Sequence, residues 1–267
     1  DIEVPTSQPT FTTLSATGFC MSLPRISVVG ALALSGSALC LLALAPLGCR
    51  LGWWSYGLSL YRLIPISGII AAVAVLLSVL TLALAWSRLR ARDLVLLCAA
   101  LVLGGALVYV PGQYALRRST LPAIHDITTD TVNPPQFSAV LAARANERAA
   151  SVDDRSPQLA QLQQAAYPDL TPITTQVSKA KAFQEALGVA KSMPGWIIVA
   201  SDADAGRIEA SEQSRWFRFT DDIVIRVVGG ELGARIDMRS TSRQGIRDYG
   251  VNSARIRLYM AALRKRI

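Results

Sequence analysis

The sequence predicts an α+β protein in which three transmembrane helices precede a soluble domain built on an antiparallel sheet. Three observations support this prediction. Between Ile26 and Ala115 the chain has only six charged side chains in ninety residues. Beyond that stretch it becomes polar and rich in turn-forming residues. Within the polar part, β-branched runs lie between segments in which apolar residues recur with the spacing of a helix.

Three apolar stretches have the roughly 20 residues that a helix needs to cross the hydrocarbon core of a bilayer. Aromatic residues, which favour the membrane interface, lie at or near their ends: Trp53, Trp54, Tyr56, Tyr61, Trp86, Tyr109 and Tyr114. The predicted spans are residues 26–48, 63–86 and 94–114. The chain then divides into an N-terminal extension (1–25), a three-span domain (26–115), a linker (116–133) and a soluble domain (134–267).

The first apolar run also has features of a secretory signal. Met21 is a candidate start, Arg25 supplies a basic residue, and Ala43-Leu44-Ala45 resembles a cleavage site. However, Pro46 follows that site directly, and the run is longer than the hydrophobic core of a usual signal peptide. We therefore expect an uncleaved span.

Arginines predict the orientation of these spans. Arg88, Arg90 and Arg92 crowd the connection between the second and third stretches, and short loops rich in Lys and Arg stay in the cytoplasm. The third span then runs outward. The C-terminal domain is expected to face the periplasm or lumen, with the protein in a bacterial inner membrane or a related internal membrane. Four further arginines fall on the outer side in this arrangement: Arg50, Arg62, Arg117 and Arg118.

The composition of the soluble part excludes several functions. Residues 119–267 hold nineteen basic and sixteen acidic side chains and no cysteine. This near balance is not the footprint of a nucleic-acid binder, and neither a disulfide framework nor a thiol nucleophile is available. Trp216 near Arg215 and Arg218 suggests base stacking, but an extracytoplasmic domain would not meet nucleic acid. We expect no nucleic-acid partner.

Helices and strands are predicted in order along the soluble part. Asn133-Pro134-Pro135 favours a helix start, with Phe137 and Val140 on one face, and residues 151–175 resemble a loop. Apolar residues from Val177 to Ala190 recur at helical spacing, and this helix is expected to end near Met193-Pro194-Gly195.

An antiparallel meander of four strands follows, at residues 196–200, 207–210, 223–228 and 234–239. Trp216–Phe219 would add a fifth strand if it pairs. A last helix is predicted at 252–264, with Asp248 or Asn252 as its cap. Two or three helices packed on one face of a four- to five-stranded sheet describe an α+β sandwich.

Several ordered motifs in this part resemble the bacterial and plastid family known as domain of unknown function 1499. They are Ile124–Asp130, Asn133–Pro135, Gly195-Trp196, Ile208–Ala210, Phe219–Arg226, Asp237–Gly245 and Asp248–Ile256. The resemblance covers about residues 120–265 and implies a domain boundary near residue 120. In that family some members are short soluble or lipid-anchored domains, and others, like this chain, have several membrane spans in front. The resemblance implies no activity.

The densest polar motifs supply a candidate site. Its members are Arg226, Asp237, Arg239, Ser240, Ser242, Arg243, Asp248, Asn252 and Arg255. Arginine binds carboxylate or phosphate with two parallel hydrogen bonds, so the arginines and serines could hold an anionic group. Alternatively, the Arg and Asp side chains pair with one another and fasten the last strand to the last helix. The nearly equal numbers of the two charges favour the structural interpretation.

A second polar motif lies in the predicted linker and consists of His125, Asp126, Thr129 and Asp130. A histidine beside a carboxylate suggests a general base. Adjacent residues of an extended segment point to opposite sides, however, so these two would not bond each other. Local hydrogen bonds that fix the linker are the expected role. We assign no catalytic residue, no metal ligand and no cofactor.

These patterns favour a non-catalytic binding or assembly module, such as an accessory subunit of a larger membrane complex. Its expected partners are the lipid bilayer and other membrane protein subunits. The alternative is a hydrolase or a sensor that acts on an anionic envelope ligand through the Arg/Asp/Ser cluster. The sequence does not identify a small-molecule ligand.

Overall fold

The computed structural model describes residues 23–147, 149, 151–152 and 157–267. The predicted N-terminal extension, with Met21, lies almost wholly outside the described residues. So does Asp153-Asp154-Arg155 of the predicted loop.

Three long helices form the N-terminal part. Helix α1 spans Leu23–Arg50, and helix α4 spans Ala91–Thr120. The middle one is continuous over Tyr56–Arg88: it comprises α2 (Tyr56–Leu58), a π-helical turn, α3 (Ile64–Ala85) and a final 3₁₀ turn. Each of the three is long and apolar enough to cross a membrane. All three extend beyond the predicted spans, because their polar end residues also hydrogen-bond as helix.

Small side chains let these helices approach closely. Their buried positions are mostly alanine, serine and glycine, among them Ala31, Ser35, Ala71, Ala74 and Ala100. A Cβ added at Gly104 would lie 2.9 Å from Val75 Cγ2, and one at Gly68 would lie 2.8 Å from Pro111 Cβ. Gly68 and Gly104 therefore lie where the helices approach too closely for a larger side chain.

The C-terminal part is an α+β domain with a six-stranded antiparallel sheet. The strands are β1 (Asp126–Thr128), β2 (Ile173–Thr175), β3 (Trp196–Asp202), β4 (Arg207–Gln213), β5 (Thr220–Gly230) and β6 (Gly233–Ser242). Their order is β1-β6-β5-β4-β3, and β2 pairs with β6 beside β1. The predicted meander of β3 to β6 is confirmed.

Helices α7 (Lys179–Ser192) and α8 (Val251–Arg264) cover one face of the sheet. Ile223, Ile225 and Val227 of β5 point into this core, and a strand residue between them, such as Val224, points the other way. Phe183 of α7 and Tyr259 of α8 fill the space between the layers. The helix predicted over residues 177–190 and the last helix are both confirmed.

Four local predictions were wrong. The linker predicted over 116–133 instead holds the end of α4 and strand β1, which pairs with β6 at Ile127 and Ser240. The loop predicted over 151–175 contains helix α6 (Pro157–Ala166) and strand β2. Two strands of only three residues are too short for an alternating pattern to be recognised.

The other two errors concern aromatic segments. Residues 133–140 form no helix, and α5 is confined to Leu141–Asn146, because the backbone before it binds buried polar side chains of the sheet. Trp216–Phe219 is not a strand. It forms a turn between β4 and β5, in which the Ser214 amide donates to the Phe219 carbonyl at 2.8 Å.

Candidate functional site

The sheet divides the predicted polar cluster into two groups. Ser240, Ser242, Asp248, Asn252 and Arg255 interact on the face that carries α8. Arg226, Asp237, Arg239 and Arg243 lie on the opposite face. Successive side chains of β6 alternate between faces, so neighbours in sequence join different groups. The nine residues therefore do not converge on one site.

Arg239 lies at the centre of the opposite face and has no exposed surface. Its Nε and Nη2 donate to the two carboxylate oxygens of Asp126 at 2.9 and 2.8 Å. Its remaining contacts are the carbonyl oxygens of Pro135 at 3.1 Å and Val152 at 2.5 Å. The Phe137 ring lies 5.2 Å from the guanidinium carbon. The guanidinium is thus enclosed by groups of the protein itself.

A second buried ion group surrounds Asp222, which is also fully buried. Its carboxylate accepts from Arg144 at 2.9 Å, from Ser211 at 2.7 Å and from Arg243 twice, at 2.8 Å each. Arg243 also donates to Glu147 at 2.5 Å. The hydrogen bond from Arg243 to Asp222 raises the pKa of Arg243 above its usual range. Asp222 therefore binds two arginines from different parts of the chain, Arg144 of α5 and Arg243 directly after β6.

Asp130 and Asp237 share two arginines at the edge of the same face. Arg226 donates to Asp237 at 2.9 Å and to Asp130 at 3.1 Å. Arg235 reaches the same two carboxylates, at 3.1 and 2.9 Å. Thr129, from the predicted linker motif, accepts from the Met238 amide at 2.9 Å. This motif therefore fastens the chain to β6. Local hydrogen bonds were the expected role of Asp130, and its carboxylate also binds Arg226 and Arg235 of the sheet.

On the α8 face, Arg255 is the centre of the second group. It donates to Asp221 and Glu212 at 2.7 Å each, and to Ser240 Oγ at 3.0 Å. Burial lowers the pKa of Arg255, but Asp221 and Glu212 outweigh it, so its pKa is raised overall. Asp221 and Asp222 thus point to opposite faces of the sheet and do not contact each other as a carboxylate pair.

Asn252 and Asp248 connect the start of α8 to the sheet. Asn252 donates to the His125 carbonyl at 2.9 Å and to Ser242 Oγ at 3.1 Å. Asp248 accepts from the amides of Gly250 and Asn252 at 3.0 and 2.8 Å, and so acts as the predicted cap. Gly250 precedes the helix with φ of 83°, a conformation that suits glycine.

His125 does not form a catalytic pair with Asp126, because the Asp126 carboxylate binds Arg239 instead. The imidazole is half-buried, and burial lowers the pKa of His125. Its Nδ1 has no hydrogen-bond partner among the described residues. Nor do those residues contain a group of three or more His, Cys, Asp or Glu side chains arranged to hold a metal ion.

Two important polar residues were not singled out from the sequence. Glu209, almost fully buried in β4, accepts from the amides of Ser138, Ala139 and Val140 at 2.9 to 3.1 Å. Arg144 of α5 reaches Asp222. A glutamate inside a predicted strand was the available signal for Glu209. The sequence held no signal for Arg144, since its partner lies 78 residues away.

Comparison with known families finds a match to a protein of unknown function, DUF1499, over residues 126–263. The matched segment begins at β1 and ends within α8, so it contains the six strands and the arginine–carboxylate groups described above, whereas His125 lies one residue before it. Comparison with the curated proteins and with the solved structures finds no match. The chain belongs to the DUF1499 family.

Proposed function

We propose that this chain is a three-span inner-membrane protein whose extracytoplasmic domain is a non-catalytic binding or assembly module, an accessory subunit of a larger membrane complex. One observation carries the proposal: the arginines and carboxylates of the candidate site are bound to one another, whereas an apolar edge of the sheet is open. The domain's polar groups hold it together, and its apolar edge offers a partner a surface.

The arginines of the turn between α3 and α4 support the orientation. Arg88 ends the middle helix and Arg90 directly precedes α4, and the domain follows the other end of this 30-residue helix. A helix of that length extends about 45 Å, which exceeds the hydrocarbon core of a bilayer. The turn and the domain would therefore lie on opposite sides of the membrane. A cytoplasmic arginine turn places the domain outside.

The ion groups argue against the hydrolase and sensor alternatives. A site for an anionic ligand needs arginine donors that are free to turn toward it. Arg239 and Arg243 instead bind Asp126 and Asp222 and are less than a tenth exposed. A ligand would have to displace these carboxylates and separate them, inside the protein, from the arginines that bind them, which costs several kcal/mol. A structural role requires no such exchange.

Strand β3 is the surface that we assign to a partner. It lies at the end of the sheet, and no described strand pairs with its outer edge. Ile197 and Val199 are 68% and 45% exposed. Lysine and proline, which commonly protect such edges, are absent from Trp196–Asp202. A bulge between Ile198 and Ala200 is the one protective feature of the strand itself. An extended segment of another subunit fits this edge by strand addition.

The proposal is tested by gentle solubilisation of native membranes, purification of the tagged chain and identification of stoichiometric partners. Ile197→Lys should abolish co-purification of the partner. Leu258→Lys is the matched control, because Leu258 is 60% exposed on α8, away from this edge. The partner should remain with that variant. A chain that purifies alone, or a partner that both variants retain equally, would contradict assembly through β3.

A further inference from the structure

Two loops of the domain lie together at the end where the long helices meet it. One is the turn Ser214–Phe219 between β4 and β5, and the other is the segment Gln244–Gly250 between β6 and α8, together with Val251, the first residue of α8. The Thr220 amide donates to Gln244 at 3.3 Å, and the Arg243 amide donates to the Thr220 carbonyl at 2.9 Å. These bonds join the bases of the two loops, which we call the basal loops.

The basal loops contact the helix ends directly. The Phe219 ring lies 4.6 Å from the ring of Tyr56, the first residue of α2. Tyr249 packs on Tyr114 of α4 with ring centroids 4.4 Å apart, and their hydroxyls are hydrogen-bonded at 2.5 Å. Arg247 donates to the Arg118 carbonyl at 3.3 Å and also to the Leu121 carbonyl. The loops are therefore held at the level where the apolar helices end.

The first of these loops is held by internal contacts and exposes an aromatic residue that arginines flank in the sequence. The Phe219 amide donates to Ser214 Oγ at 2.8 Å, and Arg218 adopts the left-handed conformation with φ of 57°. Phe217 stacks on Phe219 at 5.3 Å. This leaves Trp216 69% exposed, with the exposed side chains of Arg215 and Arg218 on either side.

The second loop adds apolar surface of the same kind. Ile246 is 66% exposed and Val251 is 46% exposed. The acidic residue of this segment, Asp248, is buried as the cap of α8 and does not face outward. Glu147, which lies nearby, binds Arg243 and Gln244. The outward charge of the basal loops is therefore positive.

We propose that the basal loops dock onto the phospholipid headgroups of the membrane that holds the chain's own spans. Trp216, Ile246 and Val251 enter the interfacial layer, and Arg215 and Arg218 bind anionic headgroups. Tryptophan favours this layer because its ring has an apolar body and a polar edge. Basic side chains near the surface are attracted to anionic lipid. Contact with the helix ends holds the loops at the depth of the headgroups, so the proposal commits to lipid.

This inference rests on membrane insertion of the three helices. Flotation of the reconstituted chain with vesicles tests insertion by itself, before the loops are examined. The full chain is then placed in vesicles of phosphatidylcholine, with or without phosphatidylglycerol. The difference in emission between the unaltered chain and Trp216→Phe isolates the fluorescence of Trp216 from that of the other tryptophans.

Lipid brominated in its acyl chains should quench most of the Trp216 emission, and aqueous iodide should quench little of it. Phosphatidylglycerol should strengthen the lipid quenching, and Arg215→Gln with Arg218→Gln should remove that increase. The control carries Leu232→Trp in the Trp216→Phe background. Leu232 is 88% exposed at the hairpin between β5 and β6, at the other end of β5. Its tryptophan should respond to iodide alone.

Two results would overturn the proposal. Trp216 emission that iodide quenches and brominated lipid does not would place the loop in water. Emission protected from both quenchers would mean that protein covers the loop, through another subunit or a second copy of the chain.

Discussion

The guanidinium of Arg239, which is wholly buried, binds both carboxylate oxygens of Asp126, a residue 113 positions earlier in the chain. This pair joins β6 to β1 on the face of the sheet opposite α7 and α8. Phe137 and the carbonyls of Pro135 and Val152 enclose it. Strand β1, through which the chain enters the domain, is therefore held by this ion pair as well as by its pairing with β6.

Arg239→Ala should lower the free energy of unfolding of the domain by about 3–5 kcal/mol, because it takes the arginine away from the buried Asp126 charge. Thermal unfolding of the detergent-solubilised chain measures this, with Trp196 and Tyr259, which stack in the core at 5.4 Å, as a near-ultraviolet dichroism signal. Arg215→Ala, at an exposed position, should change stability by less than about 0.5 kcal/mol. Equal effects of the two variants would contradict a structural role. Arg239→Met with Asp126→Asn should recover part of the loss.

Asp222→Asn should be similarly destabilising, since it removes the charge that Arg144 and Arg243 share. The expected cost is about 3–5 kcal/mol, and it should appear as easier denaturant unfolding of the domain. The exposed Asp204 offers a control, because Asp204→Asn removes a carboxylate of the same type from a turn. If Asp222→Asn were as stable as Asp204→Asn, the buried pairs would contribute little to the fold.

The stability of the domain should fall as pH is lowered through the range of histidine titration. Burial lowers the pKa of His125 below its ordinary 6.5, while Asp126 and Asp248 oppose this and Arg144 adds to it. The folded state therefore binds the proton less well than the unfolded state, and the contribution present above pH 6.5 is lost below it.

His125→Gln removes this dependence and provides the comparison. Burial also raises the pKa of Asp248, which acts in the opposite sense, since a raised carboxyl pKa favours the folded state as pH falls. The difference between the two chains isolates His125. Between about pH 7 and pH 5, the melting temperature of the unaltered chain should drop more steeply than that of the His125→Gln chain. Parallel profiles for the two chains would contradict this prediction.

Adjacent glycines of α4 should respond differently to a larger side chain. A Cβ at Gly104 would lie 2.9 Å from Val75 Cγ2, whereas one at Gly105 would have nothing within 4 Å. Gly104→Leu should therefore separate α4 from α3 and reduce resistance of the three-helix bundle to denaturing detergent, and Gly105→Leu should not. Helical dichroism during a detergent titration measures this. Equal sensitivity of the two variants would mean that the helices pack in another way.

Periodicity predicted the parts of the fold in which one side of an element is buried. Val177 to Ala190 and the strands β3 to β6 have long, regular patterns. Strands β1 and β2, of three residues each, depend on pairing with β6, which only the folded chain supplies. Helix α6 was missed because its segment, Pro157–Ala166, is short and mostly glutamine and alanine, and its buried residue is a polar one, Gln163.

The candidate site was predictable as a set of residues and unpredictable as an arrangement. Alternation along a strand places the neighbours Asp221 and Asp222 on opposite faces of the sheet. The same rule separates Arg239 from Ser240, which divides the cluster between the two faces of the sheet. The partners could not be predicted, since Arg239 and Asp126 meet only through the pairing of β6 with β1.

The side of the membrane on which the domain lies is the most direct test of an extracytoplasmic module. In a chain whose cysteines are replaced by serine, Leu232→Cys and Arg90→Cys place one thiol on the domain and one on the arginine turn. A membrane-impermeant maleimide is applied to sealed vesicles of known orientation. We predict that right-side-out vesicles label Leu232→Cys and inside-out vesicles label Arg90→Cys. The reverse pattern would put the domain in the cytoplasm and contradict the proposed function.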